Sequence, residues 1–151
     1  MNKTELLNIL SNAGWYNERR IDSSYITEDL QNQWFTIPNS LISNTISEFG
    51  NLKIEHFNEN NIYIDIVLNI ETAITMTDYT ENRNIEIVVN EKVVPIGTAF
   101  NDSYLIWITY SEKIYITDDD SIYYLSDNFL DSLLYLFNMP KPKNPIAKIH
   151  S

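Results

Sequence analysis

The chain is predicted to fold as an α+β domain: N-terminal helices packed on an antiparallel sheet, whose C-terminal meander is followed by a closing C-terminal helix. Three observations predict this. Apolar residues recur at helical spacing up to Gly50, most of the next 75 residues break into short Ile- and Tyr-rich runs between turn-forming residues, and helical spacing returns at Phe129. A length of 151 residues suits one domain, placed at 1–138, followed by a Pro- and Lys-containing tail at 139–151.

The first helix opens at Asn2, with Glu5 three positions later as a capping pair. It carries Leu6, Ile9, Leu10 and Ala13 up to Gly14. A second opens at Asp22, Ser23 and Ser24, with Ile26, Leu30 and Trp34 on one stripe, and Trp34 and Phe35 are expected in the core. In the third, Pro38 suits the first turn, Leu41, Ile42, Thr45, Ile46 and Phe49 form one face, and Gly50 stops it. Two strands follow at 52–57 and 62–67, separated by Asn58, Glu59, Asn60 and Asn61. Residues 85–89 have strand propensity, yet Asp78 can cap a helix that puts Ile85, Val88 and Val89 on one face; helix is the preferred reading for 78–90.

From Val93 to Leu125 alternation predicts a meander. Tyr104, Ile106 and Ile108 share one face and Leu105 and Trp107 the other; Ile114 and Ile116 alternate with Tyr115 and Thr117, and residues 122–125 close the set. Connections fall at Asn101-Asp102, Ser111-Glu112-Lys113 and Asp118-Asp119-Asp120. The last helix is capped around Ser126, Asp127 and Asn128 and buries Phe129, Leu130, Leu133, Leu134 and Phe137. Beyond it, Pro140, Pro142 and Pro145 oppose a helix.

Composition narrows the function classes. With no cysteine, disulfides, thiolate metal sites and thiol nucleophiles are excluded together. The formal net charge of −11 opposes binding to nucleic acid or to anionic membranes and favours basic protein partners. Residues 1–5 lack the basic segment and apolar core of a signal peptide, and the expectation is a cytoplasmic protein. His56 and His150 are the only histidines, and they assemble neither a metal cluster nor a Ser-His-Asp constellation. With three glycines there is no phosphate-cradling loop or dinucleotide fingerprint. No catalytic residue, metal or cofactor is expected.

Those three glycines sit in short signatures, expected at two helix ends and one turn. The first joins Gly14 and Trp15 to Arg19, Ile21 and Asp22. Another is Glu48, Phe49, Gly50 and Leu52, and the third is Pro95, Ile96 and Gly97. Together with Ile106, Ile108, Ile114, Tyr115, Phe129 and Leu133 they resemble, in order and spacing, the SUKH superfamily of bacterial immunity proteins, most closely its third subfamily. The resemblance spans nearly all of residues 2–137. It departs at three glycines of the family pattern, where this chain has Glu18, Asn51 and Glu112. It implies the α+β fold above and a protein that binds and neutralises a toxin from the same locus, often a nuclease, without catalysis of its own. Other superfamily members imply the alternative of an intracellular regulatory or scaffolding module. Trp15 and Arg19 are read as structural, Trp15 packing under the sheet and Arg19 pairing with a carboxylate.

For the partner-binding surface, Asp118, Asp119 and Asp120 form the sharpest local charge. With Asp102, Glu112, Asp127 and Asp131 they give the meander an acidic fringe offset by Lys113. Such a fringe can mimic phosphate in a toxin's basic cleft; a solvated turn is the plainer reading of the same residues. Tyr115, Tyr123 and Tyr124 lie beside it, as contact aromatics or, by strand alternation, as core.

Overall fold

The computed structural model describes residues 1–138 and 144–149. Its centre is a seven-stranded sheet in which every strand pairs antiparallel with its sequence neighbour: β1 (Lys53–Phe57), β2 (Tyr63–Val67), β3 (Val93–Ala99), β4 (Tyr104–Thr109), β5 (Ile114–Thr117), β6 (Ser121–Ser126) and β7 (Ala147–Lys148). The helices are α1 (Lys3–Asn12), α2 (Ser24–Asn32), α3 (Ser40–Phe49), α4 (Ile70–Thr75), α5 (Tyr79–Val89) and α6 (Phe129–Asn138).

Side-chain alternation builds two cores. Ile54, Ile64, Ile66, Ile106, Ile108, Ile114 and Ile116 pack with the buried faces of α1, α2, α3 and α6. On the other face Leu105, Trp107, Tyr115 and Ile122 pack with Ile85 of α5 and Ala73 of α4. Central position in the sheet, covered on both faces, explains why β3 and β5 are buried without interruption.

Local chemistry sets the helix starts. The side chains of Asn2, Asn39, Asn69 and Asp78 each accept the N–H three residues on, satisfying a donor that the first turn leaves unpaired. Asn128 does the same for Asp131 at 2.9 Å and opens α6. α5 settles the ambiguous 78–90 segment as a helix, ended by Asn90 in the left-handed region at φ 57°.

Several expectations are corrected. α2 ends at Asn32; Trp34 N–H bonds to Gln31 O and Phe35 N–H to Leu30 O, so Phe35 enters the core while Trp34, at φ 66°, is 69% exposed. Pro38 precedes the Asn39 cap instead of lying in the first turn, and Leu41 is exposed, leaving Ile42, Ile46 and Phe49 as the buried face of α3. Gly97 lies within β3 at a register shift, not in a turn. A Cβ there would stand 2.3 Å from Val67 O, so the close approach of the two backbones demands glycine. Gly14 alone of the three glycines has positive φ. α4, unforeseen, is a six-residue helix; β7, also unforeseen, comes from the stretch read as tail, where Ile146 N–H bonds to Ile122 O and Ile149 N–H to Asp120 O. Pro140, Pro142 and His150 lie outside the described residues.

Candidate functional site

The first two signatures converge on one structural device, the C-terminus of α3. A helix end leaves carbonyls unpaired and carries partial negative charge, so it favours a cation with several donors. Buried Arg19 supplies it: Nη1 donates to Glu48 O at 2.6 Å and Nη2 to Gly50 O at 2.9 Å. Trp15 Nε1 donates to Glu48 Oε2 at 3.1 Å. Trp15 packs against the main core, while the carboxylate expected to pair with Arg19 is taken by the indole and the arginine binds carbonyls instead. Phe49 packs on Phe129 of α6, ring centroids 4.7 Å apart, and Gly50 admits Ile46 O where a Cβ would meet it at 2.4 Å. These residues hold the scaffold together.

The acidic fringe divides in two, because successive hairpin turns of a meander alternate between ends of the sheet. The β3–β4 and β5–β6 turns share one end and bring Asp102, Asp118, Asp119 and Asp120 together. Glu112, in the β4–β5 turn, and Asp127, after β6, lie at the other. Asp102, Asp118 and Asp119 line a cleft of about 330 Å³, completed by Glu81 of α5 with Met76, Ser103, Leu105 and Thr117. Among the described residues, four carboxylates and no cation stand in that lining. Glu81 is the member that sequence reading missed.

The cleft is built on constrained backbone. Phe100, Asn101 and Asp102 take left-handed conformations in succession, at φ 55°, 54° and 61°. Asn and Asp visit this region as single residues, but three L-residues rarely do so in succession, and such strain gathers where a surrounding structure enforces it. Here Asp65 enforces it, accepting Phe100 N–H on its carbonyl at 2.9 Å and Asn101 N–H on its carboxylate at 2.7 Å. Asp102 then accepts the Thr98 hydroxyl at 2.7 Å.

Asp118 organises the neighbouring turn. Its carboxylate accepts Asp120 N–H at 2.9 Å, Ser121 N–H at 2.8 Å and the Tyr123 hydroxyl at 2.9 Å. Partial burial opposes its ionisation, yet these donors together with nearby Lys148 hold it below its ordinary value, so it stays charged. Burial first, and then Asp118, raises the Tyr123 hydroxyl. Asp119 and Asp120 stand exposed beyond it.

At the opposite end Tyr115 is 8% exposed, and burial raises its hydroxyl. It packs in the second core against Tyr124, ring centroids 5.5 Å apart. Tyr124 is the exposed member of that pair; its hydroxyl donates a short hydrogen bond to Asp127, which with partial burial pushes it up to about 12. Tyr123 is half-buried against the main core, edge-on to Tyr104. Among the described residues no three acidic or histidine side chains converge on a metal position, and no helix is long and apolar enough to cross a membrane.

The family model described as SUKH-3 immunity protein matches residues 2–138. No curated protein and no solved structure matches the chain. With nearly its whole length matched, the chain belongs to the SUKH-3 immunity protein family.

Proposed function

We propose that this family member is an antitoxin that acts in the cytoplasm, binding a toxin encoded beside it and covering the toxin's basic cleft with the acidic end of its own sheet. The carrying observation is the cleft of Glu81, Asp102, Asp118 and Asp119, in which Asp102 stands on a turn tied down by Asp65, and Asp119 on one tied down by Asp118. An enzyme that acts on phosphodiesters needs a positive cleft, and fixed carboxylates meet it with little ordering cost. The whole-chain charge of −11 adds long-range steering. Glu112 and Asp127, at the far end, contribute to that field without lining the cleft. The reading assigns binding alone, with no catalytic step.

The test is co-expression with the toxin domain of the adjacent reading frame, followed by association kinetics. A complex should co-purify, and association should slow as salt rises. Asp102→Asn with Asp119→Asn should slow association about tenfold or more at low salt while leaving the fold intact. Asp118 is left alone in this test because it builds its turn. Failure to form a complex with that toxin overturns the reading; tight binding indifferent to salt and to both substitutions overturns the acidic cleft.

A further inference from the structure

Exposed apolar side chains gather around α5. Trp34 is 69% exposed, Tyr79 47% and Ile87 77%, with Val88 and Met76 also open to solvent. A concentration of exposed apolar side chains of this kind marks a contact surface. Trp34 is also held there by construction. Its residue sits at φ 66°, which costs an L-residue free energy, and its ring packs on Tyr79 with centroids 5.7 Å apart.

The residues beneath fix that position. Arg83 Nη2 donates to Trp34 O at 2.8 Å and its Nη1 to the Thr36 hydroxyl at 2.8 Å. Buried Asn82 accepts Thr36 N–H at 2.9 Å and donates to Val93 O at 3.0 Å. Glu86 accepts the Thr36 hydroxyl at 2.6 Å and Val93 N–H at 2.9 Å and forms ion pairs with Arg83 and Lys92. A rigid, exposed Trp–Tyr pair beside an arginine has the composition of an interface hot spot.

We propose that the outer face of α5, anchored by Trp34 and Tyr79 and continued by Ile87, is the apolar centre of the surface that docks the toxin, a partner of basic charge. This rests on the antitoxin reading above and adds the residues that hold the complex together. Charge complementarity selects the occupant. On helical geometry Tyr79 and Glu81 lie on opposite flanks of α5, one helix diameter or about 10–12 Å apart. A partner surface of ordinary size, about 800 Å², reaches both the aromatic pair and the acidic cleft. The local cations Arg83 and Lys92 are paired with Glu86, so the face offers a partner Asp78, with Asp102, Asp118 and Asp119 of the cleft beyond it. A second copy would instead bring one chain of net charge −11 against another.

The test uses the full chain with the toxin domain of the adjacent reading frame. Trp34→Ala should speed dissociation about thirtyfold or more with association nearly unchanged. Tyr79→Ala and Ile87→Ser should each speed it several-fold, Ile87→Ser serving as the variant least able to disturb folding. If all three dissociate within threefold of the unsubstituted chain while their melting curves shift, the pair is structural and the proposal falls. If the unsubstituted chain is a dimer that Trp34→Ala makes monomeric, the occupant is a second copy and the assignment falls. The cleft variants separate the two ideas: loss of steering with Trp34→Ala neutral leaves the antitoxin reading standing, whereas the reverse leaves this face standing without the cleft. Absence of any complex overturns both.

Discussion

Replacing Glu112 and Glu18 with glycine should stabilise this protein, although both substitutions remove a side chain. The two glutamates occupy positions where the family pattern has glycine, and their φ angles are 72° and 65°. An L-residue in the left-handed region costs about 1–2 kcal/mol. Glycine returns part of that gain through its larger conformational entropy in the unfolded chain, about 0.5–1 kcal/mol. The difference leaves about 0.5–1 kcal/mol per site. Glu112 lies in the β4–β5 hairpin and Glu18 in the loop before Arg19, so their effects should add to about 1–2 kcal/mol. For a domain of this size that raises Tm by about 3–6 °C.

Thermal and urea unfolding followed by circular dichroism read this directly. Removing negative charge from a chain at −11 could stabilise it by itself, so Glu18→Gln and Glu112→Gln are the controls, keeping the backbone cost and losing the charge. Asn51 supplies an internal contrast. It sits at φ 64° but belongs to a residue type that tolerates this region, and its side chain donates to the Tyr25 hydroxyl at 3.0 Å. Asn51→Gly should gain nothing. A double glycine variant melting at or below the unsubstituted chain, or glutamine variants matching the glycine gain, would refute the backbone argument.

Three further outcomes follow from the same geometry. Arg19→Ala should cost about 2–4 kcal/mol in urea unfolding, since it leaves the carbonyls of Glu48 and Gly50 without their buried donor, and Arg19→Lys should recover only part. Gly97→Ala should cost about 2–3 kcal/mol or more through the contact with Val67 O, with hydrogen exchange rising first along the β2–β3 pairing. Asp118 is held below its ordinary 3.8, so the stability it adds is complete above that value and is lost as pH falls from there through the lowered folded value; unfolding of Asp118→Asn against the unsubstituted chain should differ most near neutrality, and the gap should close in acid.

What was legible in the sequence was whatever local chemistry decides. Asn2 and Asp78 announce their helices because a capping oxygen must lie three residues before the donor it satisfies, and the Ile-rich alternation of β4 and β5 reads as strand for a similarly local reason. Trp34 was misread because helical periodicity extends its stripe past Asn32, whereas the chain reverses there and lets Phe35 take the core. Gly97 was misread because its need comes from a neighbouring strand, a contact no local window contains. The acidic fringe looked continuous because adjacency in sequence hides the alternation of hairpin ends. One signal was available and unused: α5 carries two apolar stripes, Ile85 with Val89 and Tyr79 with Ile87, and one sheet can cover only one of them.

This two-sidedness bears on how such a scaffold serves a toxin binder. The signature device of Trp15, Arg19, Glu48 and Gly50 closes α3 over the main core, while α5 lies over the opposite face of the sheet. The segment between α2 and α3 joins the two sides, sending Phe35 into the main core while Thr36 bonds to Asn82 and Glu86. Thr36, Asn82 and Glu86 under α5 are therefore satisfied within the protein, and the outer side chains of α5 can change without leaving these groups unpaired. Substitutions at Trp34, Tyr79 and Ile87 should consequently move toxin affinity far more than stability, whereas those at Arg19 should do the opposite. Measuring both quantities on the same four variants tests that division of labour, and parallel losses in affinity and stability across all four would contradict it.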